Sequence, residues 1–412
     1  MPLRGFPYAL IPRQNGKKTS SLLILGQCKM QIEEVTIYPV ALSFSGDFSH
    51  ARKKGASSHN VVVEVVAEQG EVVGFGEGAP RTYVTGETQE SAARHIKELV
   101  ESSSFPWALE DIGSLWAFVD SLPAASGGNA ALCALETAFL DAIGRREKKP
   151  IIRYFSDRFL VGRIRYGATV PLGSRERALH VCRTIRKLGL RQIRVKMGPD
   201  FVQNQSLLEL VRETLGSVDL RIDVNGTWDL QAALEHVPLI RKYQIGVVEQ
   251  PLKPADPDIR VLCNALGEAG AILMADESVC GAEEAEELFR EGCYKMVNVR
   301  LSKCGGFRRS LRLIERLRTL GMTFQIGCQL GESGLLSAAG RTLALLCGDA
   351  LYVDGSYDAF LLRKNVTQND VAFGPGGEAA TLWGDGLGVE VNTEALRSLS
   401  GAPLRLSSKE VR

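Results

Sequence analysis

Five charged residues, Lys196, Asp223, Glu249, Asp276 and Arg300, each close a short apolar run, in the order base, acid, acid, acid, base. They stand 27, 26, 27 and 24 residues apart, each the length of one strand and a returning helix. Side chains repeated at that interval on strand ends would converge at one rim of a barrel. A lone acid at a strand end more often caps the following helix or meets a surface lysine. Three at a fixed period repel one another unless a cation sits among them, so Asp223, Glu249 and Asp276 are the expected metal ligands. No Cys or His lies at these strand ends except Cys328, one strand later, so the donors are all oxygen. That favours Mg²⁺ over Zn²⁺, with Mn²⁺ as a substitute.

Arg194 and Lys196 lie two apart on one expected strand, so both would point into the barrel while Ile193 and Val195 face the helices. The plain alternative is an interior ion pair. A lysine accepts a proton only when neutral, and a fixed guanidinium and a metal nearby would lower its pKa. Lys196 is therefore the candidate base, with Arg194 and Arg300 as catalytic partners. Asn225 follows Asp223 at the same spacing and is expected beside the metal or the substrate.

The elements that must position these groups fit a chain of 412 residues. Eight strand-like runs, Tyr166 to Val170, Gln192 to Lys196, Leu220 to Asp223, Gly246 to Glu249, Ile272 to Asp276, Met296 to Arg300, Thr323 to Ile326 and Leu351 to Val353, alternate with amphipathic stretches. They predict an α/β fold, a modified (β/α)8 TIM-type barrel over 151–365. Before it, strands from Met30 to about Val73 and helical periodicity from Glu87 to Gly144 predict an α+β capping domain over 30–150. The segment 366–412 is expected to complete that cap. Residues 1–29 lack periodicity and read as a disordered arm, which leaves Met30 as a possible second start. The polar stretch Ser45 to Ser58 reads as a mobile loop. Gly74-Phe75-Gly76-Glu77-Gly78 reads as a turn, since no helix follows it as a dinucleotide loop requires.

Net charge is +1, with no basic excess to track a phosphate backbone, so nucleic acid is not an expected partner. No run is long and apolar enough for a membrane. Nine cysteines without paired spacing suggest reduced thiols, no disulfides and a cytoplasmic setting.

The motifs Arg194-Val195-Lys196, Asp223-Val224-Asn225-Gly226, Glu249-Gln250-Pro251, Ala275-Asp276-Glu277-Ser278 and Asn298 through Gly306 together resemble the muconate-lactonizing subgroup of the enolase superfamily. The resemblance spans about Met30 to Val391. It implies a capped barrel in which Mg²⁺ on the three acids binds a substrate carboxylate, a base removes the adjacent proton, and an enediolate forms. It also implies association into a homo-oligomer and a small-molecule carboxylate as substrate.

Two departures bear on the reaction. Arg194 stands where the subgroup has the first lysine of Lys-x-Lys, and Arg300 where it has a lysine on the opposite face. Arginine hardly ever deprotonates. The expectation is therefore a lyase (syn β-elimination) or cycloisomerase with Lys196 as sole base. The alternative is an epimerase or racemase of dipeptides or amino-acid derivatives. A former enzyme without activity and a Schiff-base aldolase are further readings. Lys303 reads as a solvated loop residue. Arg81 through Glu87 resembles a stretch in dipeptide epimerases, which makes Tyr83 a substrate contact. Those epimerases hold a substrate ammonium with Asp-x-Asp, whereas this chain has Tyr352-Val353-Asp354, half of that clamp. Asp354, Cys328, Glu332 and Asn225 complete the expected substrate-binding set.

Overall fold

A computed structural model describes residues 29–50, 53–123, 127–155 and 158–411. The arm expected over 1–29 lies outside them but for Lys29. Eight parallel strands, Ala168–Val170, Gln192–Lys196, Asp219–Asp223, Ile245–Glu249, Ile272–Ala275, Tyr294–Val299, Thr323–Ile326 and Tyr352–Val353, pair in chain order. The Gly167 N–H donates to the Val353 carbonyl at 2.8 Å and joins the last strand to the first. The sheet is thus a barrel, with each expected run within a residue or two of a strand; Tyr166 and Gly167 precede the first one.

Helices return between the strands, and their ends follow from the sequence. Ser174, Asp200, Asp229 and Ser333 cap helix starts with side-chain oxygens, and Gly189, Gly292 and Gly321 end helices in the left-handed conformation. Strand alternation fills the barrel. Val247, Met274 and Met296, interior positions of their strands, form a small apolar cluster of their own. Two residues further on along the same strands stand Glu249, Asp276 and Asn298.

The N-terminal strands Met30–His50, Lys53–Ala67 and Val72–Gly78 form an antiparallel sheet, and Leu404–Ser407 adds to its outer edge. Of the stretch expected as a loop, Ser45 to Ser58, residues 45–50 and 53–58 belong instead to the strands Met30–His50 and Lys53–Ala67. Past a register shift, pairing resumes from Phe48↔Gly55 to His50↔Lys53. The glycine run expected as a turn is instead the strand Val72–Gly78. A methyl group on Gly74, Gly76 or Gly78 would strike the backbone of the helix Asn129–Arg146 at Ala130, Ala134, Ala138 or Ala142. A glycine stripe meeting an alanine stripe lets that helix, buried on every side from Asn129 to Gly144, press directly on the sheet.

Eight of the nine cysteines lie among the described residues, all as free thiols. Among those residues no helix is long and apolar enough to cross a membrane.

Candidate active site

The five sequence landmarks meet at the C-terminal mouth of the barrel. Strand pairing sets Lys196 opposite Asp223 and Asp223 opposite Glu249, so the register itself brings base and acids together. Asp223, Glu249 and Asp276 are fully buried, and Lys196 and Arg300 are 8% and 5% exposed. Lys196 Nζ donates to Asp223 Oδ2 at 2.6 Å and to Asn225 Oδ1 at 3.0 Å. Asn225 is held by its own amide N–H on Asp223 and by its Nδ2 on Glu277. It therefore steers the lysine.

Arg194 joins three acids and Arg300 two. Arg194 lies 3.5 Å from Asp223, 3.3 Å from Glu249 and 3.4 Å from Asp354, with Thr169 Oγ1 accepting from its other edge. Arg300 joins Asp276 to Glu249, at 3.5 Å from the latter, and also donates to Gln329 Oε1 at 3.0 Å. Glu249 thus has one guanidinium on each oxygen, and Asn298 Nδ2 donates to Oε1 at 2.6 Å. Burial works to lower both guanidinium pKa values, but the carboxylates outweigh it. Asp354, Glu249 and Asp223 hold Arg194 well above the usual range, and Asp276 and Glu249 do the same for Arg300. Burial, with repulsion from Asp276 and Asp223, pushes Glu277 up to about 8.

Lys303 departs from its expected place in solvent. It is fully buried on the short helix Leu301–Cys304, and its Nζ donates to the Asp276 carbonyl at 2.7 Å, to Asp276 Oδ1 at 3.1 Å and to the Asn298 carbonyl at 2.6 Å. Three acceptors tie it behind Asp276. The Gly305-Gly306 pair, both at positive φ, turns the chain inward at this point.

The remaining expected contacts divide. Tyr83 and Cys328 line a cavity of about 370 Å³ together with Arg194, Lys196 and Arg300. Asp354 and Glu332 do not line it. Asp354 is buried against Arg221, at 2.8 Å, and Arg194. Glu332 accepts from the Gln329 N–H at 2.6 Å, and burial first of all pushes it up to about 8. Sequence reasoning missed Arg221, Asn298 and Thr169. The first two lie two residues before Asp223 and Arg300, so the same inward alternation would have found them.

The three acids fit a hard divalent cation by donor chemistry, being all oxygen, and by charge, since guanidinium nitrogens already lie between neighbouring carboxylates. Among the described residues no three His, Cys, Asp or Glu side chains form a ready ligand set as they stand. A metal would replace arginine contacts with its own.

Comparison with known proteins agrees with the geometry. A family profile described as enolase C-terminal domain-like matches residues 176–395, more than half of the chain. A hydrophobic dipeptide epimerase of Enterococcus faecalis is 27% identical over 378 residues, covering 90% of this chain and 98% of that protein. The N-succinyl Arg/Lys racemase of Bacillus cereus superposes with a TM-score of 0.80 at 21% identity, over 92% of this chain and 100% of that one. A dipeptide epimerase of Cytophaga hutchinsonii, solved with Mg and D-Ala-L-Val, gives a TM-score of 0.77 at 24% identity over 91% and 100%. With the barrel, the three strand-end acids and this match in hand, the chain belongs to the enolase C-terminal domain-like family and is an enzyme among the isomerases and lyases of the enolase superfamily.

Proposed function

We infer that this enzyme removes the proton beside the carboxylate of an amino-acid derivative, with Lys196 as base, and returns it so as to epimerise or racemise that carbon. The carrying observation is the placement of Lys196 Nζ on the cavity wall, 2.6 Å from Asp223, beside two further strand-end acids. The printed activities of the relatives, a hydrophobic dipeptide epimerase and an N-succinyl-L-Arg/Lys racemase among them, support isomerisation of this class of substrate.

Asp223, Glu249 and Asp276 would hold a divalent ion, Mg²⁺ first and Mn²⁺ second. When bound, that ion supplies positive charge against the carboxylate as proton loss makes it doubly negative. The chain's own residues do the rest. Asn225 and Asp223 aim the Lys196 amine, and the site's burial keeps water from the carbanion. Arg194 and Arg300 add fixed positive charge that needs no reorganisation as the substrate's charge grows. For inversion the new proton would come from the other side of the site, where Arg300 would be the donor; because Asp276 and Glu249 hold its charge so firmly, giving up that proton would be the slow step.

A second reading rests on the same locked Arg300. A syn β-elimination or cycloisomerisation needs only Lys196, and Arg300 would then act by charge alone. Incubating dipeptides and N-acyl amino acids with the enzyme and Mg²⁺ in deuterated water separates the two. Deuterium at the α-carbon with both configurations emerging supports the first reading; loss of a β-substituent or ring closure supports the second. If no carboxylate exchanges its α-proton and magnesium leaves the unfolding temperature unchanged, both fall.

A further inference from the structure

Next to the end of the strand that carries Lys196 lies a cluster of buried polar side chains that the reaction itself does not use. Two residues past the lysine, the Gly198 peptide is held on both sides. Its N–H donates to Asn204 Oδ1 at 3.0 Å, and its carbonyl accepts from Asn204 Nδ2 at 2.8 Å and from the Trp228 indole N–H at 2.8 Å. Asn204 stands on the helix Phe201–Leu215, and Trp228 in the turn that follows Asp223 and Asn225. One cluster thus ties the chain leaving Lys196 to the turn carrying Asn225, whose Oδ1 accepts from the Lys196 amine.

His236, on the helix Leu230–Lys242 and 1% exposed, completes the cluster. Its ring stacks on that of Trp228 with centroids 4.0 Å apart and meets the Phe201 ring at 5.0 Å. Nδ1 lies 2.7 Å from the Ala232 carbonyl, which can only accept, so Nδ1 carries the proton. Nε2 is then an acceptor, and Asn204 Nδ2 meets it at 2.9 Å. Turning the Asn204 amide over would set its NH₂ against the Gly198 N–H and its oxygen against the Gly198 carbonyl. The neutral ring therefore fixes the amide, and the amide fixes the peptide beyond the base. Burial lowers the His236 pKa, against the opposing pull of the Ala232 carbonyl and the Glu235 charge. The side chains that face it from other elements, Asn204, Phe201 and Trp228, carry no charge.

We propose that His236 is a positioning residue for Lys196: as the neutral Nδ1–H tautomer it locks Asn204, which holds the strand end and the Asn225 turn so that the amine points at the substrate's α-proton. This rests on the reading of Lys196 as the base. A protonated ring would set a second donor against Asn204 Nδ2, and the lock would open.

Exchange of the α-proton of N-acetyl-L-leucine and of L-alanyl-L-leucine into deuterated water, with Mg²⁺ present, reads the effect. His236→Phe keeps a ring on Trp228 and removes both nitrogens. It should lower kcat about tenfold, since a shift of about 1 Å can cost about 10²-fold, and leave KM and the Mg²⁺-induced rise in unfolding temperature unchanged. His236→Gln puts an acceptor where Nε2 stands and cannot titrate, so it should restore most of kcat. The acid limb separates positioning from bulk structure. In the unaltered enzyme Lys196 and His236 must both be neutral, so log kcat should fall with a slope of about two below the His236 pKa, against about one for His236→Gln. Equal slopes, or undiminished kcat in His236→Phe, overturn the proposal and leave Lys196 as base. Should His236→Phe not fold, nitrogen NMR of the unaltered protein decides: a bare Nε2 at neutral pH supports the lock, and a protonated one overturns it. Exchange of neither probe by the unaltered enzyme overturns the reading above together with the proposal.

Discussion

Replacing Arg300 by lysine tests whether the second face is limited by a group that cannot release its proton. The guanidinium is held by Asp276, by Glu249 at 3.5 Å and by Gln329 at 3.0 Å, and these acids keep it charged against the effect of burial. A lysine ammonium is a stronger acid than a guanidinium by about two pKa units, so it releases its proton about a hundredfold more readily. If proton return on that face limits turnover, Arg300→Lys should raise the rate of inversion at the α-carbon by roughly that factor, up to the point where Lys196 becomes limiting. The shorter side chain cannot keep all three contacts. Losing one hydrogen bond to a charged group should cost about 1.5–3 kcal/mol of stability, seen as a lower urea midpoint. The assay is stereoisomer-resolved deuterium uptake, which counts each face separately. Unchanged inversion with normal exchange on the Lys196 face would refute the reasoning and favour the one-base reading.

Lys196→Met should lower α-proton exchange by about 10²–10⁴-fold with the circular dichroism spectrum unchanged, and retained exchange would remove Lys196 from its role. Burial pushes Glu136 up to about 8, with the Arg308 and Phe307 N–H groups and the Arg309 and Arg308 charges pulling the other way. The folded state therefore keeps a proton that the unfolded chain gives up near 4.5, and this group's contribution to stability is full below that pH and lost as pH rises toward about 8. Glu136→Gln should flatten the fall in unfolding temperature across that window; equal slopes in the two proteins would count against it. Gly306→Ala should destabilise by on the order of 1–3 kcal/mol or more, because Gly306 sits at φ +93 and an added methyl group lands on the Glu136 carboxylate. Gly246→Ala, with open space around it, should stay within about 0.5 kcal/mol in the same urea titration.

The barrel was legible because strand-end charges recur with the length of a βα unit, and a two-residue period then says which neighbours share the lumen. The same rule names Arg221 and Asn298, although nothing local marks them as interior, since buried cations are rare and the partners, Asp354 and Glu249, lie 133 and 49 residues away. Lys303 was misread for a related reason. Its three acceptors are two carbonyls and a carboxylate brought near by a glycine turn, and a polar side chain next to glycines otherwise signals solvent. The Gly74 to Gly78 strand was misread because glycine usually breaks a strand. Here the missing side chains are what admits the helix Asn129–Arg146, a contact visible only when both partners are placed. Substrate contacts were the least legible. Asp354 and Glu332 have the right residue types, but the first is ion-paired with arginines and the second takes a backbone N–H, and no spacing rule foretells which acid will be engaged in that way.

Two acids of the N-terminal segment have a consequence for dissection of this enzyme. Glu77 accepts the backbone N–H groups of Ser333 and Leu336, where the helix Gly334–Leu346 begins, and Glu136 accepts those of Phe307 and Arg308 at the start of Phe307–Leu320. Both helices follow the strands that carry Arg300 and the Gln329 loop. A fragment beginning near residue 176 would leave four main-chain donors without partners beside the reacting groups. Grafting a foreign lid onto this barrel therefore requires carrying these two glutamates across with it, a constraint that binds shuffling experiments more tightly than any loop length does.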